Sequence, residues 1–130
     1  MADVGVRVRG ATAEEALGRL ALALATLLAG GGPLAPEEAE VLAVNGGPGL
    51  AGTAVALLRE LLYRFATRRL VPAAVEVLKV DEVAAEARIR WAPWDPDLHA
   101  EGLDVKAVTW HLAVLEHEGG EWIGQAVFDI

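Results

Sequence analysis

The sequence predicts an α+β fold in which a mostly antiparallel sheet, or more than one, packs with two α-helices. Three features predict it: apolar and polar residues alternate along several stretches, apolar residues recur every three to four positions along two longer stretches, and most strands follow the second helix. The chain has 130 residues, the usual size of one domain. We therefore expect a single domain over residues 1–130.

The first strand and the first helix have the clearest local patterns. In residues 3–10 valines alternate with arginines, which is typical of a strand with one buried face. Thr12 then stands at an N-cap position, with Glu15 three residues later as in a capping box. A helix is predicted to run to about Ala29 and to end at the glycines and proline of residues 30–33.

The remaining elements are predicted from the same two patterns: alternation for strands, and apolar residues every three to four positions for helices. A second helix is predicted over residues 50–66, where leucines and Phe65 form an apolar stripe. Gly119 and Gly120 indicate a two-residue hairpin turn. Strands are predicted at residues 39–44, 75–80, 83–92, 105–116 and 122–130.

Composition narrows the classes of function. The net charge of −8 argues against direct nucleic-acid binding, which depends on neutralising phosphates. The chain has no cysteine and no serine, and no nucleophile with a matching general base is evident, so we do not expect an enzyme. No apolar stretch is long enough for a membrane span, which leaves a cytoplasmic protein as the expectation. Its tryptophans are expected to pack in the core and in loops: Trp91, Trp94, Trp110 and Trp122.

The last two strands are expected to place Lys106 and Asp129 on one face. A turn at Gly119 and Gly120 sets Glu118 opposite Glu121 and, if the pairing continues unbroken, Trp110 opposite Asp129. Because side chains alternate, Lys106 and Asp129 then lie on the same mostly apolar face. A half-buried aspartate on such a face needs a partner.

Three partners for Asp129 remain open at this point: Lys106, a metal ion and the amides at a helix terminus. Lys106 can form an ion pair that closes the end of the sheet. Alternatively, the terminal carboxylate of Ile130 adds a second negative group, and Asp3 adds a third if the first strand lies beside the last. Oxygen ligands alone are typical of a hard divalent cation such as calcium or magnesium.

The sequence resembles the archease family over nearly its whole length. The resemblance lies in "ADVGVRVRG" with "TAEEAL", in the helix "LLRELLYRF", and above all in "GLDVKAVTWH" and the final "VFDI". It implies a protein cofactor that activates an RtcB-type RNA ligase in tRNA splicing by promoting GTP-dependent guanylylation of the ligase histidine and repeated turnover. It also implies a site for a divalent cation, calcium before magnesium or manganese, at Asp3, Asp129 and Ile130, with Lys106 and Asp129 as candidate partner contacts.

Two departures from the family pattern support a second hypothesis. The family places His-Thr before the Ala-Asp of the first strand, whereas this sequence reads Met1-Ala2-Asp3. The family also tends to carry an acid just before the second helix, but no acid occurs between Glu40 and Glu60. The alternative is an interaction or chaperone-like module that does not activate a ligase.

Overall fold

A computed structural model describes residues 2–130 as two α-helices and six β-strands. The helices are α1, Ala13–Ala29, and α2, Gly49–Arg68. The strands are β1, Asp3–Gly10; β2, Ala39–Asn45; β3, Leu70–Val80; β4, Ala84–Pro93; β5, Ala107–Glu118; and β6, Glu121–Asp129.

The strands form two antiparallel three-stranded sheets. One sheet has the order β1-β6-β5 and the other has the order β2-β4-β3. In the first sheet β1 pairs with β6 along its whole length, from Asp3 opposite Asp129 to Gly10 opposite Trp122. The predicted α+β fold with two helices and antiparallel sheets is therefore confirmed.

Leucines from both helices form most of the core. On α1, Leu17, Leu20 and Leu24 are fully buried, as the three-to-four spacing predicts. On α2, Leu57 and Leu61 are likewise fully buried. Neither helix combines the length and the apolar character that crossing a membrane demands, within residues 2–130.

Strand β3 is longer than predicted. It begins at Leu70, five residues before the predicted start, and pairs with β4 from its first residue. Its first half has no apolar–polar alternation and contains Pro72, and the register with β4 shifts between Pro72 and Ala74. Because this half contains a proline and pairs irregularly, an alternating pattern could not identify it as part of a strand.

The register of the β5–β6 hairpin agrees with the prediction only near the turn. Glu118 lies opposite Glu121, but beyond Val114 the pairing is interrupted and resumes at Thr109, so residues 110–113 of β5 stand against Ala126 alone. Ala107, rather than Trp110, is therefore opposite Asp129. The prediction that Lys106 shares a face with Asp129 is wrong, because an adjacent residue of a strand points to the other face.

Residues 110–113 form a wide bulge that presents apolar side chains to solvent. Leu112 has a φ of 58°, in the left-handed region that a bulky residue seldom adopts. The side chains of Trp110 and Leu112 are 47% and 58% exposed. Trp91 is buried as predicted, but the expectation that Trp110 packs in the core is wrong.

Glu40 on β2 connects α2 with β4. One of its carboxylate oxygens, Oε1, accepts hydrogen bonds from Arg64 Nη1 at 2.5 Å and from Trp91 Nε1 at 2.7 Å. Burial alone raises the pKa of Glu40, but these two hydrogen bonds and the charges of Arg64 and Arg68 outweigh it. The pKa of Glu40 therefore lies below its ordinary value of 4.5.

Glu40→Gln is expected to lower the free energy of unfolding by about 1 kcal/mol at neutral pH, a small effect because the carboxylate is partly solvated. A folded-state pKa below the unfolded value stabilises the protein above the unfolded pKa, and this contribution is lost as the pH falls through the folded pKa. Urea unfolding at pH 7 and about pH 3 should show the difference between wild type and variant shrinking at the lower pH. Glu38→Gln, at an exposed position, is the control and should leave the free energy of unfolding unchanged at both pH values. An equal difference at both pH values would contradict this assignment.

Candidate functional site

Asp3 and Asp129 face each other at one end of the β1-β6-β5 sheet. Asp3 is the first residue of β1 and Asp129 is the last residue of β6, and the two are paired across the antiparallel ladder. Side chains of directly opposite residues lie on the same face of a sheet, so the two carboxyl groups are neighbours. The condition under which Asp3 joins the site, a first strand that lies beside the last, is therefore met in the structure.

The two carboxyl groups influence each other's protonation. Hydrogen bonding with Asp3, followed by partial burial and by the negative charge of Asp3, raises the pKa of Asp129 above its ordinary value of 3.8. Two carboxylates on directly opposite residues repel unless a proton or a cation lies between them. The pair is therefore a place where positive charge is stabilised.

Main-chain hydrogen bonds hold both sides of this end of the sheet. The amide of Ile130 donates to the carbonyl oxygen of Ala2 at 3.1 Å, and the amide of Lys106 donates to the carbonyl oxygen of Asp129 at 2.8 Å. Ile130 is thus fixed beside β1, next to both aspartates. All three residues predicted as metal ligands lie at one end of one sheet.

Lys106 is close to this site through its main chain but does not pair with Asp129 through its side chain. Among residues 2–130 no ion pair within 4.0 Å joins the two, and Lys106 is exposed. Its side chain instead lines a groove beside α2. The ion pair considered from the sequence is therefore absent from the described part of the chain.

The atoms present at the site fit a hard cation in part. Two carboxylates and a main-chain oxygen of Ile130 form an oxygen-only set, which suits calcium, magnesium or manganese. Calcium takes six to eight oxygen ligands, and the described residues contain no group of three or more acidic, histidine or cysteine side chains placed to hold a metal. The remaining ligands would have to come from water or from a partner.

The groove beside α2 contains residues that sequence analysis did not select. Arg59 and Tyr63 line it, one helical turn apart on the exposed side of α2. Only the buried stripe of this helix was interpreted from the sequence. The signal available in the sequence was the spacing of four residues between Arg59 and Tyr63, which places both on one side of the helix. This spacing indicates a groove only when β5 is known to lie along that side.

The fold and this site define a class: a small α+β protein of two helices and two three-stranded sheets, with paired acidic residues at the end of one sheet. The family model described as "Archease protein family (MTH1598/TM1083)" matches residues 1–130. The chain belongs to the archease family.

Relatives and solved structures agree with this membership. The chain is 33% identical to protein archease of Methanopyrus kandleri over 136 residues, which cover 99% of this chain and 94% of that protein. It is 31% identical to protein archease of Methanosarcina mazei over 134 residues, covering 99% and 90% of the two chains.

Two solved structures are similar in fold. The solution structure of protein 1598 from Methanobacterium thermoautotrophicum matches with a TM-score of 0.73 at 21% identity and covers 100% of this chain and 94% of that chain. The crystal structure of a Thermotoga maritima archease, described as a possible chaperone, matches with a TM-score of 0.61 at 15% identity and covers 98% and 90%. At these identities the similarity supports the fold alone.

Proposed function

We propose that this protein is a metal-binding cofactor that activates an RtcB-type RNA ligase in tRNA splicing. In this proposal it promotes guanylylation of the ligase by GTP and so permits repeated turnover. The observation that carries the proposal is the pair formed by Asp3 and Asp129, whose carboxyl groups face each other beside Ile130. Membership of the archease family supports the same function.

Asp3, Asp129 and a main-chain oxygen of Ile130 are the ligands in this proposal. They would hold a divalent cation, with calcium first and magnesium or manganese as alternatives. When bound, such an ion neutralises negative charge on phosphate oxygens near it. An incomplete ligand set suits this task, because an ion held by few protein groups keeps coordination positions for a partner or its nucleotide.

The chemistry of ligation belongs to the partner. Guanylylation needs a histidine nucleophile and bound GTP, and both can be supplied by the ligase. The contribution of this protein is to place its acidic pair at the ligase active site, or to stabilise the ligase conformation that binds GTP. We therefore propose that it is not itself an enzyme, and that Lys106 and Asp129 contact the ligase.

A second candidate function is an interaction or chaperone-like module without ligase activation. The specific observation in its favour is the segment before α2, residues 46–48, which has no acidic residue to add to the pair. The Thermotoga maritima archease is described as a possible chaperone, which agrees with this alternative.

Multiple-turnover ligation of RNA ends separates the two functions. The cognate RtcB-type ligase is limiting, GTP and manganese are present, and product is followed with and without this protein. The proposal predicts that ligation continues beyond one product per ligase only when this protein is added. Equal product in both reactions, with well-folded protein, would contradict activation and favour the interaction module.

A further inference from the structure

A groove between α2 and β5 opens at the same end of the β1-β6-β5 sheet as the acidic pair. It has a volume of about 350 Å³ and is lined by Arg59, Leu62, Tyr63, Ala66 and residues 106–108. We call it the α2–β5 groove. Ala107 lines the groove and also lies directly opposite Asp129, so the groove and the acidic pair are at the same end of this sheet, although the side chains of Lys106 and Asp129 point to opposite faces of it.

The α2–β5 groove carries two cations on a strongly acidic protein. Arg59 donates through Nε to the carbonyl oxygen of Val108 at 3.0 Å, and its guanidinium lies 5.8 Å from the ring centre of Trp110. In residues 2–130 neither Arg59 nor Lys106 forms an ion pair within 4.0 Å. On a protein with a net charge of −8, two cations without an ion pair at one groove make it a place that can accommodate a negative group.

The floor and rim of the groove are apolar. Val108 and Leu62 on the floor are 2% and 8% exposed, whereas Tyr63 on the rim is 60% exposed. Trp110 of the bulge, near the Arg59 guanidinium, extends this exposed apolar surface. Exposed aromatic side chains beside a partly tethered arginine are typical of the residues that contribute most to binding a protein partner.

We propose that the α2–β5 groove docks an acidic, apolar segment of the partner protein, in which an aspartate or glutamate meets Lys106 and Arg59 while a neighbouring apolar side chain covers the floor. The inference rests on the proposed function, since the partner is the ligase. One end of the sheet then offers two sites with opposite charge preferences: the acidic pair accepts a cation, and the groove, on the side of the sheet that faces α2, accepts a carboxylate. Two sites of opposite charge preference at one end of the sheet restrict the orientation in which the two proteins meet.

A protein segment fits the groove better than RNA does. Single-stranded nucleic acid needs a positive surface that follows several phosphates, whereas the groove offers two cations and the surrounding protein is acidic. One carboxylate flanked by apolar side chains matches two cations above an apolar floor. Contact with RNA is therefore an outcome that would overturn the proposal.

The chain contains two lysines, which gives a matched control. Lys106 lines the groove, while Lys79 lies on β3 in the other sheet, 3.9 Å from Asp81. A zero-length carbodiimide reagent joins a lysine amine to a carboxylate only when the two are in contact. The experiment treats the complex with the RtcB-type ligase, without RNA, and identifies the linked peptides by mass spectrometry.

We expect a link between Lys106 and an aspartate or glutamate of the ligase, and none from Lys79. Lys106→Met and Tyr63→Ala should each weaken ligase binding about tenfold, and Lys79→Met should leave it unchanged. A stable complex with no link from Lys106 and with unchanged affinity of both groove variants would overturn the groove inference alone. A Lys106→Met effect seen only with RNA present would also overturn it. Failure of the wild-type protein to bind the ligase would contradict the proposed function itself.

Discussion

Asp129→Asn is expected to abolish stimulation of the ligase while leaving the fold intact. The substitution removes one of two carboxylates that face each other at the sheet end, and it also relieves the repulsion between them. The affinity for calcium, measured by titration calorimetry, should fall at least roughly tenfold, because even residues that contact a metal indirectly contribute that much to its affinity. Product in the ligation reaction should fall to the level seen without this protein.

The control for this variant is Asp97→Asn, which removes an exposed carboxylate in the loop between β4 and β5. It changes the net charge by the same amount, so it separates a local effect from a general electrostatic one. We expect Asp97→Asn to bind calcium and to stimulate ligation like wild type. Undiminished stimulation by Asp129→Asn would show that the acidic pair is not the site of action.

Phe128→Ala is expected to lower the free energy of unfolding by about 3–5 kcal/mol, through lost burial and the cavity that it leaves. Phe128 is fully buried and lies between Val4 on β1 and Val108 on β5, so it joins all three strands of its sheet. Denaturant unfolding should show an earlier midpoint with an unchanged slope.

Phe128→Leu retains most of the buried volume and is the matched control, with an expected loss below about 1.5 kcal/mol. Similar losses for the two variants would mean that Phe128 does not fill a closely packed site. The pair of variants also matters for function, because Phe128 adjoins Asp129. Loss of function through a destabilised sheet end can be told from loss through a missing carboxylate, because Phe128→Ala shifts the unfolding midpoint strongly and Asp129→Asn does not.

Local patterns were sufficient to predict most of the elements. Alternating valines identified β1, the Thr12 cap and the glycines at 30–32 bounded α1, and Gly119 with Gly120 located the hairpin turn. Each of these signals acts within a few residues of its effect. The acidic character of the sheet end could likewise be predicted, because Asp3 and Asp129 stand at the ends of two strands with distinct sequence patterns.

The register at the site could not be predicted from local patterns. Residues 110–113 read as a continuous strand, and nothing in "TWHLAV" signals that Leu112 adopts a left-handed conformation. The bulge is supported by contacts distant in sequence: Gln125 donates to the carbonyl oxygen of Leu112, and Arg59 stacks near Trp110. Because a bulge shifts every later pair, Lys106 was assigned to the wrong face.

The α2–β5 groove could not be predicted from the sequence for a related reason. Arg59 and Tyr63 stand on the polar side of an amphipathic helix, where exposed residues are the normal expectation. They become part of a surface only because β5 packs along α2 and brings Lys106 to the same groove. Sequence patterns thus located the acidic pair, while its cationic neighbour depends on tertiary packing.

Covalent guanylylation of the ligase is the most direct measurement of the central claim. Labelled GTP is mixed with the RtcB-type ligase and a tenth as much of this protein, in the presence of calcium and manganese, and ligase-bound label is followed over time. We predict that wild-type protein accelerates labelling of more than one ligase molecule for each molecule added, and that Asp3→Asn and Asp129→Asn do not. Equal labelling with wild type, with either variant and with no added protein would contradict the claim that this acidic pair activates the ligase.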